Sequence, residues 1–251
     1  MERITRFAIG AACLAAPLSL AWAYSVQPMI YSLTPSGAGS TVRVTVANSR
    51  EGQLNVEMQP FSVSADQAGK RTFTPAPDDF LIFPPQASIA GDKTQLFQVR
   101  YVGAAQLAQG RVYVLRVHQT NTFEALQPDE TAKTQTRLAM SLNFNTTAIV
   151  QPRDMQPGVS VARDLEPDAA GVLHAQLTNK GPGVADLTRL TWVLDRDGKR
   201  EPITIQDIKY GEAIFLEPGR SRDIALSDKL HGPARLVVTQ PEGSARGARN
   251  L

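Results

Sequence analysis

The side chains best suited to proton transfer or metal binding near neutral pH are three histidines, His118, His174 and His231. Each stands alone, with no partner at the spacing a metal site needs, so each reads as a surface or loop histidine. Asp78 and Asp79 are adjacent carboxylates that could in principle divide acid and base roles. They sit in a turn-rich context before an apolar run, where no chemical role is needed to explain them. No glycine-rich phosphate loop and no Gly-x-Ser-x-Gly turn is present. The single cysteine, Cys13, lies in the first residues, inside an apolar run. Metal, nucleotide and thiol chemistry thus have no anchor in the motifs, and the expectation is a protein that is not an enzyme and carries no cofactor and no metal.

The elements around these residues explain more. The 251 residues carry 26 basic and 24 acidic side chains, a formal net charge of +2. That balance argues for neither nucleic acid nor an anionic membrane as partner. Residues 1–23 have the layout of a secretory signal peptide. MERITRF carries two arginines, AIGAACLAAPLSLAWA is small and apolar, and Ala21-Trp22-Ala23 is a small-x-small cleavage site. The apolar run is short and interrupted by Pro17, a poor membrane span. A lipoprotein reading of Gly10-Ala11-Ala12-Cys13 is weak, because the usual leucine is missing. The mature chain is expected to begin near Tyr24, without cysteine and without a membrane-inserting segment, and to rely on its core alone.

Beyond Tyr24 a two-residue apolar period recurs in short bursts: Thr41–Val46, Gln53–Met58, Leu96–Tyr101 and Arg111–Val117. Turn residues bound them, as in Pro35-Ser36-Gly37 and Ala90-Gly91-Asp92. No convincing 3.6-residue stripe appears, so the fold class is all-β, built as sandwiches. A polar, turn-rich stretch, Arg153-Asp154-Met155-Gln156-Pro157-Gly158, divides the chain. The expected domains are 24–152 and 153–251, the second ending in a polar tail from Pro241. Its strands include Val172–Leu177, Leu190–Leu194 before the hairpin turn Asp195-Arg196-Asp197-Gly198, and Ala234–Thr239. A long polar connection joins Arg116 to Leu138, a length that usually signals function or disorder.

After it comes Arg137–Pro152, RLAMSLNFNTTAIVQP. Leu138, Met140, Leu142 and Phe144 alternate with Ala139, Ser141, Asn143 and Asn145. This is a strand with one apolar face, ending at a proline. From the alternation alone, that face packs in its own domain at least as readily as against a partner.

Three stretches, in order, resemble the periplasmic pilus-assembly chaperones of the chaperone–usher pathway. They are Phe80-Leu81-Ile82-Phe83-Pro84-Pro85, then Ile89–Arg100 with its Gly91-Asp92 turn, then Val112-Tyr113-Val114-Leu115-Arg116. Arg137–Pro152 falls where that family has the last strand of its first domain. Leu177-Thr178-Asn179-Lys180-Gly181 and Leu216-Glu217-Pro218-Gly219 are similar to the second domain. The resemblance covers the chain from Tyr24 onward and points to a divergent branch. It implies two immunoglobulin-like sandwiches in a boomerang, and a periplasmic chaperone that lends a strand to pilus subunits and delivers them to an outer-membrane usher. It puts the donor residues at Leu138, Met140, Leu142 and Phe144, with Ala148 and Val150 left to the core. Self-association of the free chain, to hide that strand, stays open.

The chain departs from the family where a subunit's terminal carboxylate is held. The two basic positions fall on Ile30 and Thr147, neither of which is a cation. Arg116 is the first candidate to replace them, Arg100 the second and Arg153 a weaker third; Arg116 and, more readily, Arg100 are also explained as edge or ion-paired charges. The competing reading of the chain is a secreted two-domain sandwich that is itself a structural or adhesive surface protein. An exported β-sandwich hydrolase is a further class, for which no motif speaks.

Overall fold

The computed structural model describes residues 24–120 and 143–240. The expected signal peptide, the connection between Arg116 and Leu138 for most of its length, and the tail from Pro241 lie outside the described residues.

The first unit is a sandwich of two sheets. Its strands are β1 (Ser25–Gln27), β2 (Ile30–Leu33), β3 (Thr41–Ala47), β4 (Leu54–Ala65), β5 (Arg71–Pro75), β6 (Phe80–Phe83), β7 (Gln86–Ile89), β8 (Thr94–Tyr101), β9 (Arg111–Gln119) and β10 (Asn143–Val150). One sheet runs β1-β3-β8-β6; the other runs β2-β10-β9-β4-β5, with β7 also on β4. Inward residues at every second position close the space between them: Val44 and Val46, Phe97 and Val99, Leu115 and Val117, Ala148 and Val150. This is the two-residue period read as one buried face per strand.

The segment Tyr24–Leu33 holds two strands, not one. β1 pairs antiparallel with β3, whereas β2 pairs parallel with β10 in the opposite sheet. Pro28 lies between them and has no N–H to continue a ladder, so the chain crosses from one sheet to the other there.

The second unit holds β11 (Val159–Pro167), β12 (Leu173–Asn179), β13 (Ala185–Asp186), β14 (Thr191–Arg196), β15 (Lys199–Ile203), β16 (Ile208–Lys209), β17 (Phe215–Leu216), β18 (Ser221–Leu226) and β19 (Arg235–Thr239). They form sheets β11-β12-β18-β16, β13-β17 and β15-β14-β19 around Leu177, Leu187, Trp192, Leu194 and Leu226. The β14–β15 hairpin turns at Asp197 and Gly198, both with φ near +50 to +90°, as its Asp-Gly sequence requires. Among the described residues no strand of one unit joins a sheet of the other. Between the units lies a third apolar cluster. Val63, Ala65, Val112, Val114 and Ile149 of the first meet Val184, Ala213 and Phe215 of the second.

Candidate functional site

Strand β10 has two unequal halves. Against β9 it is paired along its whole length, Asn143 opposite His118 through Val150 opposite Arg111. On its other edge β2 covers only Thr147 to Val150. Thr147 N–H donates to Met29 O at 2.7 Å and Gln151 N–H to Leu33 O at 3.0 Å, so the odd positions aim their main-chain groups at the β2 edge. Main-chain direction alternates along a strand. Asn143 and Asn145 therefore present N–H and C=O to the same edge, beyond the point where β2 begins. Among the described residues nothing pairs with them there. An open edge of this kind is a template for another strand.

Side chains on this strand divide by parity. Phe144 points inward: its ring centroid lies 4.5 Å from that of Tyr24, and it packs on the first core. Tyr24 is itself buried, which pushes its phenol up to about 12. Thr146 follows, with its hydroxyl donating to Leu115 O at 3.1 Å and lying 3.1 Å from Tyr31 Oη. Ala148 and Val150 are fully buried, in the core where the sequence left them. Of the expected donor residues, Phe144 is thus on the inward side of β10, and Leu138, Met140 and Leu142 lie outside the described residues.

The odd positions face away from the first core, and the registers of β10, β9 and β4 align them in rows. Ile30, Thr147, Val114 and Phe61 form one row. The two positions at which a basic pair was looked for, Ile30 and Thr147, are direct neighbours, and no cation stands in that row. One row nearer the open half stand Asn145, Arg116 and Gln59. Arg116 Nε–H donates to Asn145 Oδ1 at 3.2 Å, and the guanidinium lies 4.5 Å from the Phe61 ring centroid and 5.7 Å from that of Phe73. The two rings meet edge-on at 6.4 Å. Stacking on Phe61 and the bond at Nε fix the plane of the guanidinium. Among the described residues no carboxylate lies within 4.0 Å of it. The arrangement can hold a carboxylate through the remaining N–H groups.

Arg100 is not on this face. It belongs to β8, in the other sheet, opposite Thr41 and Leu81. Its neighbours Val99 and Tyr101 are buried, so the alternation turns Arg100 out on the far side of the sandwich. Arg153 lies beside Gly39, where a Cβ would be 3.3 Å from its guanidinium. Of the three arginines, only Arg116 stands beside the open edge.

Of the residues weighed for other chemistry, His118, His174 and Asp79 have structural partners, and His231 is exposed. His118 Nδ1 lies 2.6 Å from Asn143 Oδ1, and His174 Nε2 lies 3.0 Å from Asp168 Oδ2. Asp79 accepts the hydroxyl of Tyr113 at 2.7 Å beneath Phe80, while Asp78 is exposed. Among the described residues no three metal-ligating side chains cluster, and no helix is long and apolar enough to cross a membrane. Phe61 and Phe73, which support Arg116, escaped the sequence reading. Their signal was present: FSVSA and RTFTP alternate on either side of the turn DQAGK.

No protein-family model matches the sequence, and no curated protein is significantly similar to it. Solved structures are similar. The YadV chaperone is 14% identical and aligns over 85% of this chain and 89% of its own, with a TM-score of 0.53. The E. coli chaperone DraB is 18% identical over 88% and 93%, with a TM-score of 0.51. The Salmonella enterica structure of the SafA pilin with the SafB chaperone matches at 14% identity over 86% and 95%, with a TM-score of 0.51. At these identities the likeness is one of fold: the chain has the two-sandwich, immunoglobulin-like fold of chaperone–usher pilus chaperones.

Proposed function

We propose that this protein is a periplasmic chaperone for pilus or similar surface-fibre subunits, which it captures by lending them the free half of β10 and hands to an outer-membrane usher. The observation that carries this reading is the open edge at Asn143 and Asn145, with Arg116 beside it and no carboxylate among the described residues within 4.0 Å of that guanidinium. A chain with the chaperone fold supports it. A subunit sandwich that lacks one strand exposes an apolar groove, an aggregation hazard. Main-chain bonds along the open edge would hold the two proteins, and side chains of one parity would fill the groove. On a period of two, Leu138, Met140 and Leu142 share the parity of Phe144. Burying each fully contributes roughly 1.5–3 kcal/mol, before the cost of ordering the strand. Phe144, already seated on Tyr24, marks where the donor half passes into the core.

Arg116 is the group proposed to receive the subunit's terminal carboxylate, in place of a basic pair at Ile30 and Thr147. An incoming strand along the open edge must stop where β2 takes over, and Arg116 lies one row before that point. No nucleotide or metal is required.

Co-expression in a periplasm with the cognate subunit tests the reading. Met140→Asp and Leu142→Asp each place a charge in the apolar groove and should abolish co-purification of subunit while the far-UV spectrum and melting temperature of the chaperone stay as in wild type. Undiminished one-to-one co-purification with both variants would refute the donor assignment. Failure of the wild-type chain to hold any subunit would instead favour the competing reading of a surface structural protein.

A further inference from the structure

Two domains joined by a few residues move relative to one another by default, unless a large or well-tied interface prevents it. Here β10 ends at Val150 and β11 begins at Val159. The apolar cluster of Ile149, Val63 and Phe215 between the units is tied on both flanks. On one flank Gly110 N–H donates to Pro182 O at 2.9 Å, and Gln151 Oε1 accepts from Val184 N–H at 2.9 Å. On the other, the tip of the β4–β5 hairpin is inserted into the second unit.

That tip is held by main-chain bonds and by two carboxylates of the second unit. Gly69 O accepts from Glu212 N–H and Ala213 N–H, each at 3.1 Å, and Gln67 O accepts from Asp223 N–H at 2.8 Å. Ala65 N–H donates to Glu217 Oε2 at 2.9 Å, and Arg71 Nε lies 3.7 Å from Glu212 Oε2. Two glycines face each other across the joint. Gly69 has φ +82°, and a Cβ on it would lie 2.3 Å from Tyr210 O. Gly211 also has φ +82°, and a Cβ there would lie 2.3 Å from Ala68 O. Side chains at either place would force the two backbones apart.

The loop that receives the tip is braced from beneath. Arg222 is 1% exposed and donates to Tyr210 O at 3.0 Å, Ala213 O at 2.9 Å and Phe215 O at 3.3 Å. The carboxylates of Glu217 and, from the hairpin itself, Asp66 act on its charge. A buried cation spent on three carbonyls of one loop keeps that loop in a single shape.

We infer that the β4–β5 hairpin is a clasp that locks the two sandwiches into one rigid body, so that the open edge beside Arg116 has a fixed place relative to the second unit before any partner arrives. Pre-setting matters because ordering on binding subtracts from affinity. The inference concerns the free chain and does not depend on what the chain captures.

The test uses interdomain distance. Residues 24–251 contain no cysteine, so spin labels at Arg43→Cys in the first unit and Lys199→Cys in the second are unambiguous. Double electron–electron resonance should give one narrow distance in the otherwise wild-type chain. Gly69→Val, and replacement of Gln67–Gly69 by Asn-Gly, should each at least double the width of the distribution. Asp66 N–H donates to Lys70 O at 3.1 Å, so the Asn-Gly loop closes on a hydrogen-bonded pair, suits a two-residue hairpin and decides the matter if Gly69→Val does not fold. A wild-type distribution already broad, or a folded loop variant with unchanged width, would overturn the clasp. Neither measurement includes a subunit, so the result stands or falls apart from the chaperone reading.

Discussion

At the scale of single residues, chemistry depends on whether a charge is already spent. Arg222 is spent inside the second unit, whereas Arg116 is held in place by Asn145 and Phe61 without a described carboxylate. Arg116→Ala should therefore lower subunit yield on co-expression at least several-fold with little effect on melting temperature. Arg116→Lys should rescue only part of it, because an ammonium lacks the planar fork. An unchanged yield with Arg116→Ala would remove this residue from the site. Glu217 gives a pH signature. Burial beside the joint raises its carboxyl above the ordinary value, with the Ala65 N–H, Arg220 and Arg222 opposing. A raised folded-state value means the folded protein binds the proton more tightly than the unfolded one, so this group's cost is full at neutral pH. The cost is relieved as pH falls through the raised value toward the ordinary one. Glu217→Gln keeps the acceptor for Ala65 N–H. Its urea midpoint relative to wild type should be most favourable near pH 7 and should lose that advantage on acidification. A difference that does not change with pH would contradict the buried-charge account.

Among the elements, β10 decides most, because its two edges have different partners. Asn143 aims its N–H at the open edge, while Thr146 lies on the parity that bonds β9. Proline is tolerated where a strand's N–H faces solvent and not where it serves a ladder. Asn143→Pro should leave the free protein near wild-type stability yet weaken subunit capture. Thr146→Pro should unfold or strongly destabilise the first unit. If Asn143→Pro instead lowered the melting temperature as much as Thr146→Pro, the edge assignment would be wrong. The alternation of RLAMSLNFNTTAIVQP was enough to find this strand, and the family resemblance to leave Ala148 and Val150 to the core. It could not say which edge is open, since that depends on where β2, more than a hundred residues earlier, begins to pair.

For the whole molecule, the interlocked main chains of the hairpin joint should make the two sandwiches unfold together. Trp192 is the one tryptophan in residues 24–251 and is buried in the second core, so its fluorescence reports that unit, while far-UV circular dichroism reports both. The two urea transitions should coincide in wild type and separate when Gln67–Gly69 is replaced by Asn-Gly. Non-coincident transitions in the wild-type chain would show that the units are energetically independent.

By itself the sequence determined the class of the fold, because a period of two between turn residues is a local property that each strand carries in its own side chains. It also marked the hairpin at Asp197-Gly198, where backbone conformation follows from residue type. Tertiary structure alone decided that Tyr24–Leu33 splits between two sheets, that Arg100 and Arg116 stand on opposite sides of one sandwich, and that the quiet sequence DQAGK is inserted into the second unit. Those outcomes depend on which strands become neighbours, and neighbourhood between distant segments is set by the packing of all of them at once.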